Sequence, residues 1–238
     1  MKKRLQTVLA HAGIDSRRGV VKLIESGKVK IDGIIVKEKG FRVDPDEQNI
    51  QVNGREILKE QKYYFIFNKP KNVISTVKDT HDRKKVTDFF SDINARLYPV
   101  GRLDRDTTGL LIVTNDGELA HGLMHPKFEI EKEYVATVKP CVDKKDIKKL
   151  EKGVELDNKK TAACIIRLEE RDLESAVYRI ILHEGKNRHI RRMFEEVNVK
   201  VIKLKRVKYA GLDIKGVRSG ESRPLTKEEV CNLKNAIG

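Results

Sequence analysis

The sequence predicts an α+β fold in two parts, a small module over residues 1–60 and a larger domain over residues 61–238. Three observations carry this. Two short runs with helical spacing come first, each closed by a glycine. Four short apolar runs follow, separated by turn pairs. From Tyr63 onward, strand-like runs cluster among few helical segments.

Residues 4–11 read as a helix with Leu5, Val8 and Leu9 on one face, stopped by Gly13. Ser16 caps a second helix with Val20, Leu23 and Ile24 inward, ended at Gly27. Strands are expected at Val29–Ile31, Ile34–Val36, Phe41–Val43 and Ile50–Val52, between the turn pairs Asp32-Gly33, Asp44-Pro45 and Asn53-Gly54. Residues 56–62 read as a linker. The second part opens with a strand from Tyr63 that ends before Pro70, and a short helical piece, VTDFF. A buried strand at Leu110–Thr114 precedes a helix at Gly117–Met124. A strand at Tyr134–Val138, a helix capped by Asp143 and a hairpin of Ala162–Leu168 with Ala176–Leu182 come next. The chain continues with a helix at Asn187–Val197 and a strand at Val201–Lys208, and a capping box of Thr226 with Glu229 opens a last helix.

The net charge is +14 over 238 residues, which favours a polyanionic partner bound by counterion release. The charge is uneven: residues 1–30 hold eight Lys/Arg against two Asp/Glu, whereas residues 31–62 hold six against seven. Arg4, Arg17, Arg18, Lys22, Lys28 and Lys30 therefore form a candidate RNA-binding patch, with a solvated face as the bland alternative. No run is long and apolar enough to span a membrane, and the start reads as a mature helix rather than a signal peptide. Cys141, Cys164 and Cys231 lie far apart, without metal-ligand spacing, and read as small buried apolar residues of a reducing cytoplasm.

Three segments carry candidate chemistry. In VGRLDRDTTGLLIVTNDGELAHGLMH, Asp104 sits between Arg102 and Arg105 in a Gly-bounded turn before an apolar strand. Such a carboxylate is either an Asx-turn residue or an acid held rigidly at a cleft edge. In EGKNRHIRRMFEEV, Arg188 and Arg191 share a helical face beside the core stripe of Ile190, Met193 and Phe194. An arginine there keeps a neighbouring carboxylate ionised where burial alone would protonate it, or else contacts phosphate or lies on a solvated face, the reading expected of Arg192. In EIEKEYVATV, Tyr134 is either an amphipathic strand residue or a ring that stacks on a base and offers a hydroxyl for proton transfer.

Together these segments resemble the bacterial ribosomal large-subunit pseudouridine synthases of the RluB kind, in the RsuA group. PVGRLDRDTTGLLIVTNDGELAHGLMHP resembles the catalytic-aspartate segment, KEYVATV the tyrosine segment, and HEGKNRHIRRMFE with VIKLKRV the arginine helix and the strand after it. RLQTVLAHAGIDSRRGVVKLIESGKVKIDG is similar to the S4 RNA-binding module that precedes these synthases. The resemblance implies a catalytic domain on a mixed, largely antiparallel sheet flanked by helices. It implies Asp104 as the catalytic aspartate, Tyr134 packed on the target uracil, Arg191 paired with the aspartate, and Leu204 beside the nucleotide, with Arg102 and Arg188 as further substrate contacts. One departure is His189, where the family usually has glutamine.

The reaction so implied isomerises uridine to pseudouridine in RNA. The base is flipped out of the stack, at a cost of roughly a few kcal/mol that phosphate contacts offset. The bond from C1′ to N1 breaks, and C5 rejoins C1′. Nothing is added or lost, so no metal or other cofactor is expected, in keeping with the lack of a P-loop or dinucleotide fingerprint. An ionised Asp104 stabilises charge on the ribose, attacks it, or removes a ribose proton. The expected partner is ribosomal RNA, 23S in this branch, or a subunit-assembly intermediate, engaged by a cytoplasmic monomer. The alternatives are the same chemistry on 16S rRNA and an S4-domain assembly factor without catalysis.

Overall fold

The computed structural model describes residues 2–57, 60–77, 79 and 81–238. The chain forms two compact units, one of residues 1–63 with 94–96 and 115–117, the other of the remainder.

In the first unit, β1 (Lys3–Arg4) leads into α1 (Leu5–His11) and α2 (Arg17–Glu25). The Ser16 side chain accepts the Gly19 N–H at 3.0 Å, which satisfies an otherwise orphaned donor and starts α2 where expected. β2 (Val29–Ile31), β3 (Ile34–Ile35), β4 (Arg42–Val43), β5 (Ile50–Val52) and β6 (Arg55–Glu56) follow. The sheet runs β3-β2-β5-β6, all antiparallel, and β1 pairs separately with β4. Leu5, Leu9, Val20, Ile24, Val29, Val43 and Ile50 close one small core.

In the second unit, β7 (Tyr64–Lys69) precedes a 3₁₀ turn at Val86–Phe90, β8 (Tyr98–Pro99), β9 (Thr108–Thr114) and α3 (Gly117–Met124). Next come β10 (Lys132–Lys139), α4 (Lys144–Glu151), β11 (Glu155–Leu156), β12 (Lys159–Lys160), β13 (Ile165–Arg171) and β14 (Ala176–Leu182). α5 (His189–Glu195), β15 (Lys200–Tyr209), β16 (Leu212–Asp213), β17 (Ser222–Pro224) and α6 (Lys227–Asn235) complete it. Among the described residues the main sheet has nine strands in the order β13-β14-β10-β15-β9-β7-β17, with β16 on β15 and β8 on β9. Every pair is antiparallel except β15 with β9. The mixed sheet is thus as expected. Leu110 and Ile112 of β9, Ile66 of β7, Leu119 and Leu123 of α3 and Leu233 of α6 share one core. Each such side chain stabilises the fold by about 1.5–3 kcal/mol.

The parallel contact is short, Lys205 opposite Thr108 and Arg206 opposite Gly109. Gly109 has φ +106°, and a Cβ there would lie 2.2 Å from the Arg206 carbonyl oxygen. Only glycine lets β15 come this close to β9.

Several elements differ from expectation. Arg55–Glu56 is a strand paired with β5, so the segment expected as a linker begins inside the sheet; Leu58 and Lys59 of that segment lie outside the described residues. Asp143 precedes α4 without a side-chain capping bond. α5 starts at His189 rather than Asn187, because Arg188 takes a left-handed conformation, φ 47°, that breaks the helical path. Cys141 and Cys164 are half-buried and Cys231 is exposed, all as free thiols, rather than core residues.

Candidate active site

Asp104 sits half-buried on the turn that feeds β9. The turn is closed by the Thr107 N–H donating to the Asp104 carbonyl at 3.1 Å. It is also held from both sides. The Ser75 hydroxyl donates to the Leu103 carbonyl at 3.0 Å and accepts the Leu103 N–H at 3.1 Å. The Asn72 N–H donates to the Arg105 carbonyl at 2.8 Å. Both neighbours of Asp104 are therefore anchored to the segment that follows β7.

The sheet register builds the surface next to this turn. Lys69 lies opposite Gly109, Gly109 opposite Arg206, and Arg206 opposite Tyr134, one row across β7, β9, β15 and β10. Tyr134 is 9% exposed. Leu204, opposite Ala136, lies on the same strand as Arg206, and its carbonyl accepts the Thr108 hydroxyl at 3.4 Å. The tyrosine and the leucine expected from sequence are thus brought to the strand that contacts the end of the Asp104 turn.

Arg191 is buried on α5, where Nη1 donates to the Val201 carbonyl at 2.7 Å. Its Nη2 lies 3.0 Å from Oδ2 of Asp106, not on Asp104, and Arg188 Nη1 lies 3.6 Å from Oδ1 of the same Asp106. This corrects the expected pairing. The guanidinium fork, fixed on one side by Val201, meets the carboxylate two residues further along the turn. Among the described residues Asp104 forms no ion pair. Arg102 is exposed. Arg192 pairs instead with Asp157, through two bonds of 2.8 and 2.7 Å. His189 is buried, with Nε2 3.2 Å from Glu184 Oε1, and burial, opposed by Glu184, lowers its pKa.

Two buried cations in the row had no place in the sequence reading. Lys69 is fully buried and donates to the carbonyls of Val73 at 2.7 Å and Pro70 at 3.1 Å. Burial pushes its pKa down to about 8, against the pull of Asp104 and Asp106. A lysine closing the strand-like run FIFN before Pro70 was the available signal. Arg206 is 3% exposed, donates from Nε to the Leu110 carbonyl at 2.7 Å, and stacks 4.5 Å above the Tyr209 ring. Its Nη2 is buried without a hydrogen-bond partner among the described residues. Nothing marked it among the lysines of KLKRVK. Nearby, burial and then Arg206 push Lys132 down to about 8, and burial pushes Tyr209 up to about 12.

In the first unit Arg4, Arg17, Arg18, Lys22, Lys28 and Lys30 are all exposed, three of them on α2. Arg42, which sequence reasoning passed over, lies opposite Arg4 and extends the cationic surface. Among the described residues none of these seven side chains forms an ion pair, so each is available to phosphate.

Residues 63–196 match the family described as RNA pseudouridylate synthase, and residues 3–49 match the S4 domain. The chain is 48% identical over 234 residues to a ribosomal large subunit pseudouridine synthase B of Bacillus subtilis, covering 98% of this chain and 96% of that one. It is 39% identical to an uncharacterized RNA pseudouridine synthase of Mycobacterium leprae, over 99% of this chain and 93% of the relative. A crystal structure of a pseudouridylate synthase superposes with a TM-score of 0.69 at 29% identity, covering 97% of this chain and 99% of that one. With an S4 domain at its start and these likenesses along nearly its whole length, the chain belongs to the RNA pseudouridine synthase family.

Proposed function

We propose that this enzyme converts a uridine of 23S ribosomal RNA to pseudouridine, with residues 1–60 as the S4 RNA-binding domain and residues 61–238 as the catalytic domain. The large-subunit target follows the named Bacillus subtilis relative. The observation that carries the site assignment is the convergence of the anchored Asp104 turn with the row of Lys69, Gly109, Arg206 and Tyr134.

The exposed cations of the first unit hold phosphates and help offset the cost of extruding the base. The uracil stacks on Tyr134 beside Leu204, with Arg102 and Arg188 as outer contacts to the strand. Asp104 meets the anomeric side of the ribose as the bond from C1′ to N1 breaks. The detached base carries the negative charge, and Lys69 and Arg206 supply a positive field in a place sheltered from water. The base turns, C5 bonds to C1′, and the C5 proton passes to a base, the Tyr134 oxygen or a water. The uracil regains a proton at N1, so the product is an isomer of the substrate. The partner is ribosomal RNA or an assembly intermediate in the cytoplasm, and the acting species is a monomer.

Asp104→Asn should abolish turnover while RNA affinity stays near wild type. Pseudouridine mapping of both rRNAs from cells lacking the protein checks the target. A missing modification in 23S supports the reading, one in 16S alone redirects it to the small subunit, and none leaves an RNA-binding protein without catalysis.

A further inference from the structure

We infer that Arg206 is a substrate-binding residue whose guanidinium donates to the carbonyl oxygens of the extruded uracil and keeps hold of the base while it turns. The inference rests on the proposed isomerisation of a uridine stacked on Tyr134.

Arg206 is a buried cation with most of its donors unspent. Among the described residues only its Nε–H has an acceptor, the Leu110 carbonyl at 2.7 Å, and Nη2 is buried without a partner. No carboxylate pairs with it among the described residues, and Lys132 beside it adds a like charge. The Tyr209 ring, 4.5 Å away, covers one face of the guanidinium and leaves its donors at the edge. Such a group is costly unless something else supplies the acceptors. Its position says what could. Arg206 lies opposite Tyr134 in the register of β10 and β15, which sets their Cβ atoms about 5 Å apart on one face of the sheet. Leu204, two residues before Arg206, shares that face. A base resting on Tyr134 beside Leu204 therefore has its rim next to the guanidinium.

The shape of uracil suits a fixed donor. The ring is nearly symmetric about the axis through N3 and C6. Half a turn about that axis exchanges N1 with C5, and the C2 carbonyl with the C4 carbonyl. A guanidinium held beside the ring thus meets one carbonyl oxygen before the turn and the other after it, with no rearrangement of its own. The detached base is anionic and shares its charge with both oxygens, so these bonds are charge-assisted when the base is otherwise free to leave. Cytosine would bring its C4 amine, a donor, against the same N–H groups, so the contact also favours uracil.

The test uses the full-length protein and rRNA fragments carrying uridine, 2-thiouridine or 4-thiouridine at the mapped target position. Wild type, Arg206→Met and Arg206→Gln are compared by single-turnover rate, RNA affinity and melting curve. Sulfur is the weaker acceptor, and its effect on the intrinsic reactivity of the base is common to all three proteins. The ratio of the uridine rate to the thiouridine rate, compared between proteins, therefore isolates the contact. Both variants should lose about 10–100-fold in rate on uridine, the worth of a hydrogen bond to a charged group, at near wild-type RNA affinity. The rate ratio should fall by about 5–10-fold from wild type to variant for at least one of the two thiouridines. A slower variant that keeps the wild-type ratio for both would show that Arg206 acts through packing alone. That outcome, or a wild-type rate on uridine, overturns the inference. If Arg206→Met does not fold, Arg206→Gln is judged by the same two measurements. An active Asp104→Asn enzyme, or a deletion strain whose rRNA keeps every pseudouridine, would instead overturn the underlying reading of the site.

Discussion

Replacing Ser75 by alanine removes one oxygen, and the structure indicates where the loss is felt. The hydroxyl makes two bonds, both to the backbone of Leu103, the residue before Asp104. Leu103 is 5% exposed and Ser75 9%, so water does not readily take the place of the missing bonds. A buried backbone group left unsatisfied costs about 1–3 kcal/mol. For a chain of this size that is a fall of roughly 2–4 °C in melting temperature per kcal/mol. The anchors at Arg105 and Thr107 persist, so the turn survives but gains freedom at its leading edge. A displacement of about 1 Å at the carboxylate costs on the order of 100-fold in rate. Ser75→Ala should therefore lose about 10–100-fold in single-turnover rate on an rRNA fragment while RNA affinity is retained. Ser75→Thr, which keeps the hydroxyl, should recover most of the rate. A variant with the expected loss of stability but an unchanged rate would show that the clamp supports the fold and not the chemistry.

Two further outcomes follow from charge. Lys69 titrates near 8 in the folded chain against 10.5 when unfolded, so the unfolded state binds more protons between those values. Wild-type stability measured against Lys69→Met should therefore rise with pH across that window, by up to about 3 kcal/mol; a flat difference in denaturant titrations at pH 8 and pH 10 would contradict the burial argument. In the first unit, the double substitution Arg17→Ala with Arg18→Ala should reduce the slope of log affinity against log salt by up to about 2, roughly 0.9 for each phosphate no longer neutralised, with the rate at saturating RNA unchanged. An unaltered salt slope would remove these two arginines from the RNA surface.

Much of the fold was readable because local signals agreed with one another. The spacing of Leu5, Val8 and Leu9, the Ser16 cap and the Thr226–Glu229 box each have a local physical cause, and each recurs in the structure. What escaped were features decided by distant partners. β1 exists only because Lys3–Arg4 finds Arg42–Val43, and β17 only because Ser222–Pro224 finds the edge of β7. The start of α5 was misplaced for a related reason. Asn187 and Arg188 fit a helical pattern, yet Arg188 adopts a left-handed backbone. That conformation carries no signature in a residue type that seldom takes it.

The site shows the same division more sharply. Asp104, Tyr134, Leu204 and the arginines lie in segments whose resemblance to a known family was visible in the letters, but their connections were not. Arg191 was expected on Asp104 and lies on Asp106, because the choice between two carboxylates on one turn depends on the Val201 carbonyl holding the other end of the guanidinium. Ser75 stands 28 residues before Leu103, and no periodicity links them. Lys69 and Arg206 reach the row by strand order, which places β9 between β7 and β15. That row in turn depends on Gly109, since any side chain there would meet the backbone of Arg206 and force β15 away from β9. The glycine closing the motif Asp-Arg-Asp-Thr-Thr-Gly thus acts at a distance from the turn's own conformation. It lets the strand carrying Leu204 and Arg206 lie beside the strand that follows Asp104, and without that approach Asp104 and the residues proposed to bind the base would belong to separate surfaces.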